Sequence, residues 1–142
     1  MTIAELESML PAGFLDARLR RIEIDYVERT ARLDLVVDGG DREADGIAER
    51  EAWRPAHLVL SDVVFVVVEP PATQREAFAG EARIASSRPA TRREREALPP
   101  VPPGSFCHAL FASNWGARLF LAARNARLYW AAAPAAVQAE AR

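Results

Sequence analysis

Two runs of alternating apolar and polar residues between positions 20 and 38 constrain the fold of this chain more than any other feature. In both runs, large apolar residues alternate mainly with charged ones, and only Glu28, Arg29 and Thr30 separate the runs. A period of two places one face of a strand in a core and the other in water, so these runs predict an antiparallel β-hairpin over residues 20–38. The inward positions are Ile22, Ile24, Tyr26, Leu33, Leu35 and Val37.

A third strand region is predicted over residues 56–69. Its second half, residues 63–68, reads VVFVVV and is apolar on both faces, which is typical of a strand in the middle of a sheet. We expect a bend or bulge at Ser61 and Asp62. Asp62 on one side and the Glu-Pro-Pro sequence from Glu69 on the other interrupt this aggregation-prone segment.

Helical signals occur in two short segments. Residues 2–10 carry a capping box, Thr2 with Glu5, and an apolar face, so they predict a short N-terminal helix. A Pro/Arg-rich linker covers residues 86–104; within it, residues 91–98 predict one or two capped helical turns, and the PPVPP sequence predicts a stiff connector. Residues 82–85 are compatible with a short edge strand.

The C-terminal third, residues 105–130, predicts further strands. Residues 117–130 fit two short strands that turn at Asn125, and they also fit a helix, because Ala, Leu and Arg are good helix formers. We favour strands. The chain as a whole is then a single domain over residues 1–142 of the mainly β (α+β) class: an antiparallel sheet, arranged as a sandwich or half-barrel, with a short N-terminal helix.

Composition excludes several classes of protein. The 142 residues carry a net charge of -2, whereas nucleic-acid binders normally have a basic surplus, and no apolar run approaches the ~20 residues of a membrane helix. One cysteine forms no internal disulfide, and the N-terminus has no basic segment of a signal peptide. We therefore expect a cytoplasmic protein without a nucleic-acid or membrane partner.

The segment Gly13-Phe14-Leu15-Asp16-Ala17 before the hairpin resembles the start of small, largely uncharacterised bacterial proteins related to immunity-protein families. In those families a phenylalanine-histidine-aspartate-alanine segment precedes paired strands, and the RLYW sequence near the C-terminus fits the same plan. Leu15 stands here in place of the histidine. The resemblance implies an antiparallel sheet with a short N-terminal helix and a role in binding a partner protein.

The acidic loop at residues 39–52 begins like a calcium-binding loop. Acidic residues at positions 41, 43 and 45 are followed by Gly46, as in the first half of an EF-hand. The twelfth position, which is a bidentate glutamate in that motif, is Ala52, and the loop follows a strand instead of a helix. The residues therefore favour a solvated acidic loop, and we expect no metal and no cofactor.

No catalytic constellation is evident. Cys107 and His108 are adjacent on a predicted strand, so their side chains point to opposite faces, and a buried, inert thiol is favoured. His57 is the second histidine of the chain, and the two lack the close ligand pair that begins a zinc site. Serine-hydrolase, nucleotide-binding and dinucleotide-binding motifs are missing from the sequence.

Candidate binding residues are Asp16, Trp53, Arg54 and Trp115. Asp16 lies where the chain leaves the helix for the sheet, either lining a cleft or capping a turn through its carboxylate, which we favour. Trp53, Arg54 and Trp115, with the C-terminal aromatics Tyr129 and Trp130, have the composition of protein interfaces, although such residues also cover the ends of a core.

Two functions remain open from the sequence. The first is a non-catalytic protein-interaction module related to immunity proteins, with a protein partner or a second copy of the chain. The alternative is a small-ligand-binding or enzymatic β domain with a pocket between sheet and helix, using Asp16 or Arg54.

Overall fold

The computed structural model describes residues 1–40, 46, 52–71 and 81–131. It is mainly β, with 55% of the described residues in strands, which confirms the predicted class. The helices are α1 (Ile3–Glu7) and α2 (Arg92–Glu96). The strands are β1 (Arg18–Asp25), β2 (Thr30–Asp38), β3 (Trp53–Val68), β4 (Ala82–Pro89), β5 (Phe106–Ala112) and β6 (Ala117–Trp130).

The six strands close into a barrel in the order β1-β2-β3-β6-β5-β4, and every neighbouring pair is antiparallel. Two three-stranded meanders, β1-β2-β3 and β4-β5-β6, meet at two seams. The β3–β6 seam extends from Ala56 to Val68, whereas β1 and β4 pair only through Arg18 with Arg83 and Leu19 with Ala82. The sequence was compatible with both a sandwich and a half-barrel. In the structure, the second seam closes the sheet completely.

The predicted hairpin is present, but only one of its strands is buried along its length. On β2, Leu33, Leu35 and Val37 are fully buried inside the barrel. On β1, Ile24 and Tyr26 were expected to face the core, yet Tyr26 follows the end of the strand and is 85% exposed. That expectation was wrong because β1 separates from β4 after Leu19, so the end of the hairpin has no strand across from it.

Leucines and small residues fill the barrel interior, and the N-terminal segment closes one end of it. Ile3 and Leu6 of α1, with Phe14 and Ala17 of the following turns, belong to the same buried cluster as the strand residues. The capping box of Thr2 and Glu5 is present, and α1 ends at Glu7, earlier than the predicted helix over residues 2–10. Gly13 has a φ of 57°, and a Cβ there would lie 2.7 Å from Glu7 Oε2, so this position favours glycine.

The third strand begins three residues earlier than predicted and bends where expected. Asp62 has a φ of 51°, and the β3–β6 register shifts between Val63 and Phe65. As predicted for a central strand, β3 lies between β2 and β6, but only its first half pairs with both among the described strands. β6 pairs with residues 63–68 on one side, but the β2 ladder ends at Ser61 on the other.

The predicted turn at Asn125 is also wrong. β6 is one continuous strand, and Asn125 lies in its middle, opposite Ser61 of β3. The helix alternative fails for the same reason, because pairing with both β3 and β5 overrides the local helix propensity of the alanines and leucines.

The segment that was predicted as a linker contributes structure to the barrel wall. β4 continues past the predicted edge strand to Pro89, and α2 forms with the expected capping box of Thr91 and Glu94. On β5 and β6, buried residues outside the interior cluster also form a face on the outside of the barrel: Cys107, Ala109, Phe120 and Ala122. The Ala90 N–H donates to the Cys107 carbonyl (2.9 Å), which fixes the start of the α2 segment against this outer face.

Within the part of the chain that the structure describes, no helix has the length and apolar character needed to cross a membrane.

Candidate functional site on the outer face of the barrel

The outer face of β2, β3 and β6 carries the most exposed aromatic residues that lie on paired strands. Because Ala56, Leu58 and Leu60 point inward, the alternate residues of β3 point outward. Trp53 is 39% exposed on this face, and Tyr129 of β6, the register partner of His57, is 49% exposed. We call this surface the aromatic face; it consists of Trp53, Pro55, His57 and Tyr129 with Val36, the partner of Pro55 on β2.

A charged cluster holds the centre of the aromatic face in place. The Asp34 Oδ1 atom lies 2.8 Å from His57 Nδ1 and 3.0 Å from Arg32 Nε, and Arg21 Nε lies 3.9 Å from the other carboxylate oxygen. Partial burial would raise the pKa of Asp34, but the hydrogen bond from His57 and the charge of Arg32 outweigh it and lower that pKa. Asp34 therefore stays ionised and accepts a hydrogen bond from His57 Nδ1, which fixes the imidazole ring.

The aromatic face contains an aspartate–histidine contact without a nucleophile beside it among the described residues. An aspartate and a histidine in contact are two parts of a hydrolytic triad, but a nucleophile is required as the third. In the described ranges, no serine, threonine or cysteine forms a hydrogen bond with His57. Across those ranges there is also no group of three or more His, Cys, Asp and Glu side chains arranged to hold a metal ion.

A second polar cluster, which the sequence did not indicate, joins α1 to the barrel interior. The Ser87 hydroxyl donates to Glu7 Oε1 (2.7 Å) and lies 2.8 Å from His108 Nε2, and that nitrogen is 3.3 Å from the same carboxylate oxygen. Since the hydroxyl proton is directed to Glu7, His108 Nε2 must carry the proton of the second bond. A protonated Nε2 accepts no proton from serine, so this is a structural network and not a Ser-His-Glu triad.

The adjacent Cys107 is separated from this network, as the strand geometry predicted. His108 is 2% exposed and bonds within the barrel, whereas Cys107 lies among the buried outer residues beneath α2. Burial raises the pKa of the Cys107 thiol and outweighs the opposing charge of Arg95. The thiol is therefore a packing group at neutral pH.

The four predicted binding residues do not lie together. Trp53 belongs to the aromatic face, but Arg54, the next residue of the strand, points to the barrel end, where its guanidinium lies 4.3 Å from the ring centre of Trp130. Trp115 lies in the turn between β5 and β6, where it lines a mainly apolar recess of about 240 Å³ with Ile22 and Val68. The predicted aromatic–arginine set is thus not one surface.

Asp16 has a conformational and electrostatic role at the entrance to β1. Its φ is 61°, its N–H donates to the Ile84 carbonyl (2.8 Å), and its Oδ1 lies 3.3 Å from Arg83 Nε. The turn-capping role that we favoured for the carboxylate is not found in the described hydrogen bonds; the carboxylate pairs with Arg83. The ion pair is exposed, so it contributes little to stability.

One predicted feature lies largely outside the described residues. Most of the acidic loop over 39–52, including the calcium-like positions 41, 43 and 45, is not described.

A recess of about 400 Å³ lies between α1 and the sheet. It is lined by Arg54 and Trp130 together with Met9, Leu10 and Leu128.

Comparison of the chain with protein-family models, curated proteins and solved structures gives no match.

Proposed function

We propose that this chain is a non-catalytic protein-interaction module that binds its partner through the aromatic face. The observation that supports this most directly is the exposure of Trp53 and Tyr129 on one outer surface of paired strands. Tyrosine, tryptophan and arginine are the residues on which most interface binding energy depends. Arg32 and Arg127 border the aromatic pair on the same face, through their register with Val59.

The rigidity of the aromatic face favours binding. Each aromatic residue is on a strand paired with a neighbouring strand, and the Asp34 carboxylate holds His57 between them. Side chains that are already ordered lose little conformational entropy when a partner binds, so more of the contact energy is retained as affinity. A partner protein with a complementary apolar patch would therefore need no rearrangement of this surface.

We propose a toxin-like protein domain as the first partner to test, on the basis of the resemblance to immunity-related families. The segment from Gly13 to Ala17 behind that resemblance does not form the proposed surface, although Tyr129 of the RLYW sequence lies on it. Phe14 and Ala17 are fully buried, and Gly13 and Asp16 adopt positive φ, so they close the barrel end. The immunity-like role therefore depends on the aromatic face, where a toxin would bind.

The test compares capture of partners from host-cell extract by the natural chain, by Trp53→Ala/Tyr129→Ala and by the control Tyr26→Ala. Tyr26 is more exposed than either target residue but lies at the hairpin end. We expect one protein to be retained by the natural chain and the control, and to lose affinity for the double variant. With purified partner, the loss should reach about 30-fold, as truncating interface hot spots costs roughly 2 kcal/mol. If the double variant retains every captured protein, the aromatic face is not the binding surface.

A second candidate function is supported by the recess between α1 and the sheet. Arg54 is its charged group, stacked on Trp130, and Met9, Leu10 and Leu128 supply apolar surface. An apolar chain ending in a carboxylate suits such a lining. Titration with octanoate, followed by NMR, should shift the signals of Met9 and Trp130 to saturation in the natural chain and in the control Arg127→Ala, but not in Arg54→Gln. A linear, non-saturating response in the natural chain would reject this candidate.

A further inference from the structure

The upper half of β3 extends beyond the strand that covers its lower half. β2 pairs with β3 only as far as Thr30 with Ser61, and the Val63 N–H donates to the carbonyl of Arg29 in the β1–β2 turn (3.0 Å). Beyond this contact, no described strand pairs with residues 64–68 on the side away from β6. We call this segment the open edge; it has the sequence VFVVV.

The backbone of the open edge has hydrogen-bonding groups directed away from the barrel. The Glu69 N–H donates to the Arg118 carbonyl of β6 (3.0 Å). Since the direction of backbone groups alternates along an antiparallel strand, Val67 also faces β6, and Val66 and Val68 direct their N–H and C=O groups to the opposite side. These are the groups that another strand would use.

The side chains around the open edge are unusually apolar for an exposed strand. Val68 is 52% exposed, and Val64 and Phe65 line a recess of about 340 Å³ with Tyr26 of the hairpin end. Natural edge strands commonly carry a lysine or proline within the strand to prevent pairing. Here Glu69 and Pro70 follow only after the last valine.

We propose that the open edge pairs with the open edge of a second copy of this chain, forming a two-fold symmetric dimer with one continuous sheet. Antiparallel pairing centred on Val66 places Val64 opposite Val68 of the second copy, so apolar residues meet apolar residues along the whole segment. The segment is close to symmetric in residue type about Val66, and a two-fold interface requires such self-complementarity. The open edge of one copy can therefore add to the open edge of the other as a neighbouring strand.

The charges at the two ends of the open edge complement each other in this arrangement. Arg29 lies beside Val63, its Nη2 being 3.5 Å from the Val63 carbonyl. In a pairing centred on Val66, Glu69 of the second copy follows its last paired valine and lies next to the β1–β2 turn, so Arg29 approaches that carboxylate, which Arg118 already orients (3.0 Å). The twofold axis creates this contact twice. A parallel arrangement would instead place Arg29 beside Arg29, and like charges disfavour it.

This dimer goes beyond the proposed function, because it uses a different part of β3. The aromatic face lies around Trp53 to His57 and the C-terminal end of β6, whereas the open edge begins past Ser61. A dimer joined at the open edge leaves both aromatic faces accessible.

Sedimentation equilibrium of the full chain tests the proposal. The natural chain should associate reversibly to twice its 15.6 kDa mass. Val68→Lys places a charge on the open edge and should raise the dimer dissociation constant about tenfold or more, the equivalent of an unburied valine. Leu15→Lys is the matched control, since Leu15 is also 52% exposed but lies in the turn before β1, and it should leave the constant unchanged.

Charge reversal and hydrogen exchange give two further measurements. Arg29→Glu should weaken the dimer roughly two- to fivefold at low salt, and the difference should fade at high salt. The amides of Val66 and Val68 should exchange more slowly as protein concentration rises. A monomer at the highest soluble concentration, or a dimer that Leu15→Lys weakens as much as Val68→Lys, overturns the proposal. So does protection of both amides in a monomer, because the edge is then covered within one chain.

Discussion

At the scale of single residues, Glu7 joins α1 to the barrel through both of its carboxylate oxygens. One carboxylate oxygen accepts from Ser87 (2.7 Å), and the other accepts from the Phe14 N–H (2.9 Å). Burial raises its pKa, but hydrogen bonds from His108, Ser87 and Phe14 outweigh burial and lower it. The ionised form thus links α1, the Phe14 turn and the barrel.

We expect Glu7→Gln to destabilise the protein, with an effect that depends on pH. The folded pKa lies below the ordinary value of 4.5, so the stabilisation is complete above that value and is lost as pH falls through the folded pKa. At neutral pH the free energy of unfolding in urea should drop by about 1–3 kcal/mol, the usual cost of breaking a buried charged hydrogen bond. The difference from the natural chain should shrink on acidification.

Glu96→Gln provides the control for Glu7→Gln. Glu96 is an exposed residue of α2 that lies 3.8 Å from Arg92, and its substitution should change stability by a few tenths of a kcal/mol at most. A gap between the natural chain and Glu7→Gln that widens in acid would show that Glu7 is protonated in the folded state.

Single residues also set one limit on prediction from sequence. No sequence pattern links Glu7, Ser87 and His108, because α1, β4 and β5 bring them together from distant positions in the chain. By contrast, the separation of Cys107 from His108 was predicted, since it depends only on the alternation of a strand. The same rule would have separated Trp53 from Arg54 if β3 had been predicted to begin at Trp53 instead of residue 56.

At the scale of elements, α2 is attached to the barrel by Glu94. Its carboxylate pairs with Arg88 of β4 (2.7 and 3.0 Å) and lies 3.6 Å from Arg118 of β6, while it also caps α2 through the Thr91 N–H. The hydrogen bonds from Arg88, opposed by burial and assisted by Thr91, lower the pKa of Glu94 to about 2. The Glu94 side chain thus connects α2 to β4 and β6.

Replacing Arg88 should remove the hydrogen bonds that lower the pKa of Glu94 most. We expect the pKa of Glu94, followed through its carboxyl carbon by NMR, to be about 2 in the natural chain and to move toward its ordinary value of 4.5 in Arg88→Gln. Arg92→Gln is the matched control, because Arg92 is on α2 but pairs with Glu96 instead. An unchanged titration of Glu94 in Arg88→Gln would assign its low pKa to the helix cap.

Elements were predictable wherever local pattern and tertiary pairing agree. Alternation located β1 and β2, and the capping boxes located α1 and α2, because each depends on residues close in sequence. Asn125 misled the prediction because a turn-forming residue is tolerated here in mid-strand, where the ladder pairs it with Ser61 and its side-chain oxygen accepts from the Met1 amino group. The run from Val63 indicated a strand with two apolar faces, but side chains do not reveal which edge is paired.

At the scale of the whole molecule, the barrel is closed unevenly. The β3–β6 seam holds eleven residue pairs, whereas the β1–β4 seam holds two. Closure of a sheet by so few pairs depends on contacts between residues from opposite meanders, such as Leu19 and Ala82 inside the barrel. No sequence pattern marks Arg18, Leu19, Ala82 and Arg83 as partners, so the choice between open and closed sheet was not predictable.

We expect the short seam to open before the rest of the barrel. In native-state hydrogen exchange, amides of Leu19 and Ala82 should exchange through local opening, with a free energy well below that of global unfolding. Amides directed across the long seam, such as those of Val59 and Phe120, should exchange only when the whole barrel unfolds. Equal protection of both seams would indicate that the barrel opens as a single unit.

The long seam has a consequence for how the chain is made. A ribosome releases β3 well before β6, since residues 82–112 and the following turn must be synthesised in between. During that interval the valine-rich half of β3 has no strand beside it, and in the crowded cell such a segment attracts other nascent chains. Slow translation of the second meander would prolong this interval, so efficient production of the folded protein should depend on holdase chaperones that cover β3 until its partner strand emerges.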